Sequence, residues 1–93
     1  MDFEWDPAKD EANQAKHIIS FEDAIAIFAD TGLVLLDATH ESDGEARTKG
    51  IGRIEGKSFV VVFTERGEVK RIISARRANR KEERIYGDRE SEA

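Results

Sequence analysis

The chain has no cysteine, one proline, one tryptophan, one tyrosine and two histidines in 93 residues. Without cysteine neither a disulfide framework nor a thiolate metal site can form, which agrees with a reducing compartment. His17 and His40 stand far apart with no carboxylate in a recognised spacing, so no metal and no cofactor is expected. No apolar run approaches the roughly 20 residues of a membrane span. The opening Met-Asp-Phe-Glu-Trp-Asp is acidic where a signal peptide is basic. The expectation is a cytoplasmic protein with one domain over residues 1–86 and a flexible tail at 87–93, which has nothing to bury. A Walker-type loop is missing. Gly50-Ile51-Gly52 lies inside an alternating stretch, where close backbone packing explains it better than a phosphate cradle. No nucleophile stands out either, because Ser20 is better used as a helix cap.

Charge is abundant and unevenly spread. The net charge is −5, yet residues 1–46 carry two lysines against twelve carboxylates, while residues 47–84 carry twelve Lys or Arg against five. Such asymmetry points to one cationic surface built by the C-terminal half and attractive to phosphate. The alternative is that the charges interleave in space and cancel.

Phe3-Glu4-Trp5 alternates and suits a brief edge strand. Asp6-Pro7 starts a helix, since Asp can accept from a free first-turn amide and Pro lacks the amide that would be orphaned. That helix runs to about Lys16 with only small apolar residues, Ala8, Ala12 and Ala15, along one side. Ser20-Phe21-Glu22-Asp23 resembles a capping box, and Phe21, Ala24, Ile25 and Phe28 follow at helical spacing until Asp30-Thr31-Gly32 ends the helix. Leu33–Leu36 and the alternating Arg47–Glu55 read as strands flanking a loop at Thr39–Gly44. Five apolar residues, Phe59–Phe63, then form a run expected to be covered on both sides. Gly67 supplies the positive φ of a short turn into an antiparallel return over Val69–Ala75. Asn79 can cap a last helix with Glu82 as its reciprocal partner. The fold class is therefore α+β: a curved antiparallel sheet of about four strands plus a short edge strand, two N-terminal helices and one C-terminal helix.

The cations gather near the strand ends: Arg47, Lys49, Arg53, Arg66, Lys70, Arg71, Arg76, Arg77, Arg80 and Lys81. A guanidinium fork suits phosphate oxygens and can stabilise charge developing on a phosphorane-like transition state. For any one of them an ordinary solvated strand charge is the competing explanation. Arg66 beside a turn glycine and Arg76 directly after Ile72-Ile73-Ser74-Ala75 are the positions a rigid backbone would aim. Strict alternation puts Arg71 and Arg76 on opposite faces, so both reach one spot only if the strand twists or bulges. Glu65 is a candidate general base or an ion-pair partner. Trp5 and Tyr86 can stack on a base or complete the core, and core packing is favoured.

Several of these residues together resemble a known family. Phe3-Glu4-Trp5-Asp6 with Lys9, Asn13 and Lys16-His17, then Ile19-Ser20-Phe21 and Ala24, Arg47 and Gly50, Val61-Val62, Thr64-Glu65-Arg66, Arg71-Ile72-Ile73-Ser74-Ala75-Arg76, Glu83 and Tyr86 are similar to the BrnT toxins across residues 2–86. The resemblance implies a RelE-like fold and a metal-independent endoribonuclease of a type II toxin–antitoxin system that blocks translation. The ribose 2′-OH would attack the adjacent phosphate. It implies as partners an RNA substrate and a BrnA-type ribbon-helix-helix antitoxin in a hetero-oligomer, with operator DNA reached only through the antitoxin. Carried over by position, catalysis falls on Arg66, Arg76, Glu65 and Tyr86. RNA contacts carried over in the same way fall on Arg47, Arg71, Lys9 and His17, and the cationic cluster itself adds Lys49, Arg53, Arg77, Arg80 and Lys81. Ile18 is a departure, since many relatives have Gly after the His, and it bears on the inter-helix turn rather than on the site residues. A non-catalytic RNA- or antitoxin-binding module is the alternative.

Overall fold

A computed structural model describes residues 1–92, with side chains through Gly87. Its elements are β1 (Asp2–Glu4), α1 (Pro7–His17), α2 (Phe21–Ala24) running into a 3₁₀ turn (Ile25–Ala29), β2 (Val34–Asp37), a short turn (Glu41–Asp43), β3 (Thr48–Ile54), β4 (Lys57–Arg66), β5 (Val69–Arg77) and α3 (Arg80–Glu92). The five strands form one sheet in the order β1-β5-β4-β3-β2. The sheet is mixed rather than wholly antiparallel, because β1 lies parallel to β5 while every other pairing is antiparallel. The stretch expected as a tail continues α3 through Glu92, and Ala93 lies outside the described residues.

Local chemistry sets the helix ends. The Asp6 carboxylate accepts from the Ala8 amide at 2.9 Å, and the Ser20 hydroxyl accepts from the Asp23 amide at 3.0 Å, each satisfying a first-turn donor. The helix expected to run from Phe21 to Phe28 is a single α-turn followed by 3₁₀ geometry. Its three fully buried residues, Phe21, Ala24 and Ile27, recur every third position, the period of a 3₁₀ helix rather than an α-helix. Between α1 and α2, Ile18 closes the first helix in the left-handed region at φ 58°, ψ 31°. A β-branched residue there costs roughly 1–2 kcal/mol.

β4 is covered on both sides. On one face Val61, Phe63, Ile72 and Ala75 pack against Phe21, Ala24 and Ile27, with Trp5 edge-on to Phe21 at 6.1 Å. Gly52 serves this face by its lack of a side chain, since a Cβ would stand 2.8 Å from the Ile27 Cβ. The glycine pair in β3 is thus close packing of strand on helix. On the other face α3 lies over Ile51 and Val60, and Tyr86 completes that smaller cluster.

Two polar groups, one buried and one half-buried, join the layers. Asn13 of α1 donates to the Ala75 carbonyl at 2.8 Å and accepts from its amide at 3.2 Å, beyond the part of β5 that β1 covers. Asp30 accepts from the Gly32 and Arg53 amides at 2.9 and 2.8 Å and from the Tyr86 hydroxyl at 2.7 Å, so one carboxylate ties the 3₁₀ turn, β3 and α3 together. Burial pushes the Asp30 carboxyl up, but these donors outweigh it and leave it below the ordinary value.

Candidate active site

The decisive local feature is a bulge in β5. Val62 pairs with Ser74 but Phe63 pairs with Ile72, so Ile73 is left without an opposite residue. Alternation resets across it. Arg71, opposite Thr64, then shares a face with Ser74 and Arg76, opposite Val62 and Val60. This is the α3 face, and among the described residues its apolar cluster gathers around Ile51, Val60 and Tyr86. Its polar half receives Arg71 and Arg76 from β5, Lys49 from β3 and, one residue before β3, Arg47 on the same side of the alternation. The bulge that sequence reasoning named as a condition is therefore present.

One carboxylate organises this half-face. Glu82, in the first turn of α3 and only 3% exposed in its side chain, takes both terminal nitrogens of Arg76 at 2.7 and 2.8 Å and the Lys49 ammonium at 3.0 Å. The same carboxylate accepts from the Asn79 amide at 2.9 Å, while Asn79 Oδ1 accepts from the Glu82 amide at 2.8 Å. This is the expected capping box, now serving a second purpose. The Arg76 guanidinium, against the opposing cost of burial, holds the Glu82 carboxyl down at about 2 and is itself raised. Glu82 is thus a fixed anion and a poor proton acceptor. Sequence reasoning assigned it only to the cap, and a carboxylate six residues after an arginine gives no sign of a bidentate lock.

The remaining cations of this half-face have looser partners. Arg71 meets Glu4 at 3.1 Å and Arg47 meets Asp43 at 3.5 Å. The buried Nε of Arg47 has no hydrogen-bond partner. Arg66, 51% exposed at the hairpin end of the face, stands 3.7 Å from Glu45. Pairs of this kind contribute about 0–1 kcal/mol and are screened by salt. A phosphate oxygen can take the place of such an acid at little cost, whereas the Glu82 lock, four hydrogen bonds from three residues, stays in place and fixes the orientation of the Arg76 charge.

Other expected site residues lie elsewhere. Glu65 pairs with Lys70 on the opposite, helical face, where the Lys70 ammonium lies 5.1 Å from the Phe63 ring centroid. Tyr86 is buried beneath α3 with its hydroxyl given to Asp30 and the Arg53 guanidinium 4.8 Å from its ring. The fold brings neither group to the cationic half-face. Arg77 lies over Phe59 on the helical side, 5.4 Å from the ring, and Lys9 and His17 belong to α1 on that side as well. Arg80 and Lys81 are exposed on the first turn of α3, beside Glu82. Among the described residues no group of three or more His, Cys, Asp or Glu could hold a metal ion, and no helix is long and apolar enough to cross a membrane.

The fold is thus a three-layer α+β domain with arginine and lysine gathered on one half of one sheet face. The family model described as ribonuclease toxin, BrnT, of type II toxin-antitoxin system matches residues 5–82, and the chain belongs to that family. Membership brings ribonuclease activity and an antitoxin partner at the level of the family. Among curated proteins no sequence matches the chain.

Proposed function

We propose that the protein cuts RNA on the polar half of the α3 face, by a metal-independent reaction on a fold of the RelE-like kind. The observation that carries this reading is the β5 bulge at Ile73, which puts Arg71 and Arg76 on one face with Lys49, either side of Ser74. The 2′-oxygen attacks the neighbouring phosphorus as its proton passes to solvent water. The P–O5′ bond breaks and the 5′-oxygen takes a proton from solvent water, giving a 2′,3′-cyclic phosphate and a 5′-hydroxyl. The face supplies charge rather than a base, so the rate comes from cations preset around the phosphorane oxygens. Arg76, aimed by Glu82, is the principal stabiliser. Arg71, Arg47 and Lys49 hold the flanking phosphates, and Arg66, Arg80 and Lys81 extend the track. A BrnA-type antitoxin neutralises the protein in the cytoplasm by occupying these cations, and operator DNA is reached only through it.

Arg76→Ala and Arg71→Ala should each lower cleavage of a purified RNA by about 10²-fold or more, the scale of losing one preset donor. Growth arrest on expression should be lost while the far-UV circular dichroism stays that of the parent. Undiminished cleavage by both variants would overturn the assignment. The pairing of Arg47, Lys49, Arg66, Arg71 and Arg76 with acids favours a second reading, a non-catalytic module that binds RNA or antitoxin. Parent protein that binds RNA with a steep salt dependence but never yields cyclic-phosphate ends would establish it.

A further inference from the structure

On the helical side of the sheet an open groove of about 530 Å³ runs between the α1–α2 junction and the β3–β4 turn. Its floor is apolar, with Ile19, Ile54 and Phe59, and its rim carries Glu22, Asp23 and Glu55 against the ammonium of Lys57. Ile18 stands at one end of that rim. It is 92% exposed and held at φ 58°, a region that β-branched residues rarely enter. Burial within the chain gives nothing in return for that conformation, so the branched side chain is offered outward. Strain kept at an exposed position points to a contact made outside the chain's own packing.

We propose that this groove docks a basic segment of a protein partner, which seats one apolar side chain between Ile18 and Phe59 and turns Lys or Arg toward Glu22, Asp23 and Glu55. Charge selects this occupant. Three carboxylates against one ammonium leave the groove net negative, so it repels RNA and acidic peptides and attracts cations, and an apolar anchor inside a polar rim is the ordinary anatomy of a peptide site. The groove lies on the face opposite Arg71 and Arg76, so the inference stands whether or not RNA is cut there.

The test uses the full chain and a short fluorescein-labelled peptide with a central Leu flanked by Arg and Lys, beside a counterpart with Glu in place of each cation. Fluorescence anisotropy should show the basic peptide binding at least roughly tenfold tighter than the acidic one. Ile18→Gly should weaken binding about fivefold or more. The same change relieves the left-handed strain and raises Tm, so lost binding is not lost folding. Glu22→Lys should weaken binding comparably, while Glu68→Lys, the same charge change in the β4–β5 turn, leaves it within about twofold. Arg76→Ala should bind the peptide as the parent does. Three results would overturn the proposal: undiminished binding by Ile18→Gly, equal weakening by Glu22→Lys and Glu68→Lys, or a homodimer that Ile18→Gly dissociates, which assigns the groove to a second copy of the chain.

Discussion

The helical face of the sheet buries Phe21, Ala24, Ile27, Val61, Phe63, Ile72 and Ala75 almost completely, whereas the α3 face buries Ile51, Val60 and Tyr86 and then gives way to Lys49, Arg71 and Arg76. The same strands therefore carry stability on one side and charge on the other. β4 shows the division within a single dipeptide. Phe63 is sealed against Phe28, ring to ring at 5.2 Å, while its neighbour Val62 turns half-buried toward the cations. A half-polar face leaves polar groups where a ligand can reach them, and it does so without opening the core that holds the strands in place.

Truncation should expose the difference most strongly. Phe63→Ala should cost about 3–5 kcal/mol, a large share of the roughly 5–15 kcal/mol available to a domain of this size, while Val62→Ala should cost only about 1 kcal/mol. Urea unfolding of the two variants measures the contrast, and equal losses would erase it. Next in size is Glu82→Gln. Removing the buried carboxylate leaves Arg76 and Lys49 without their shared anion, for about 2–3 kcal/mol and roughly a tenfold fall in RNA cleavage. The pH dependence separates a charge effect from a packing one. Because the folded carboxyl sits at about 2 against an ordinary 4.5, its contribution is complete above pH 4.5 and is lost as pH falls through about 2. The gap between parent and Glu82→Gln in urea should accordingly narrow from pH 5 to pH 2, and a constant gap would mean shape alone. The smallest effect has the opposite sign: Ile18→Gly should add about 1 kcal/mol by relieving its left-handed backbone, read as a higher Tm.

Much of this division was legible in the sequence, and the exceptions have physical causes. Asp6-Pro7 and Ser20 marked the helix starts because caps act within three residues, and the Val60-Val61-Val62 run announced a strand covered twice. The parallel partner of β1 left no trace, since three residues carry too little pattern to choose an edge. Period-two reading separated Arg71 from Arg76. One extra residue at Ile73 reverses that result, and the adjacent Ile72-Ile73 pair in an otherwise alternating stretch was the available signal. Tyr86 and Glu65 could not be placed by spacing, because their partners are decided by the layers. Tyr86 meets an aspartate 56 residues upstream, and Glu65 points to the far side of the sheet. Asn13 likewise reads as an ordinary helix residue until β5 presents Ala75 to it.

The central claim is that RNA meets one half of one sheet face. Backbone amide shifts of the isotopically labelled protein, titrated with a short RNA whose 2′-hydroxyls are replaced by hydrogen to prevent cleavage, test it directly. The account predicts that the largest shifts fall on Arg47, Lys49, Arg71, Ser74 and Arg76 while Phe21, Ile27 and the α1 amides stay still. Shifts centred on α1 and the groove beside Ile18, with the β5 arginines unmoved, would contradict it.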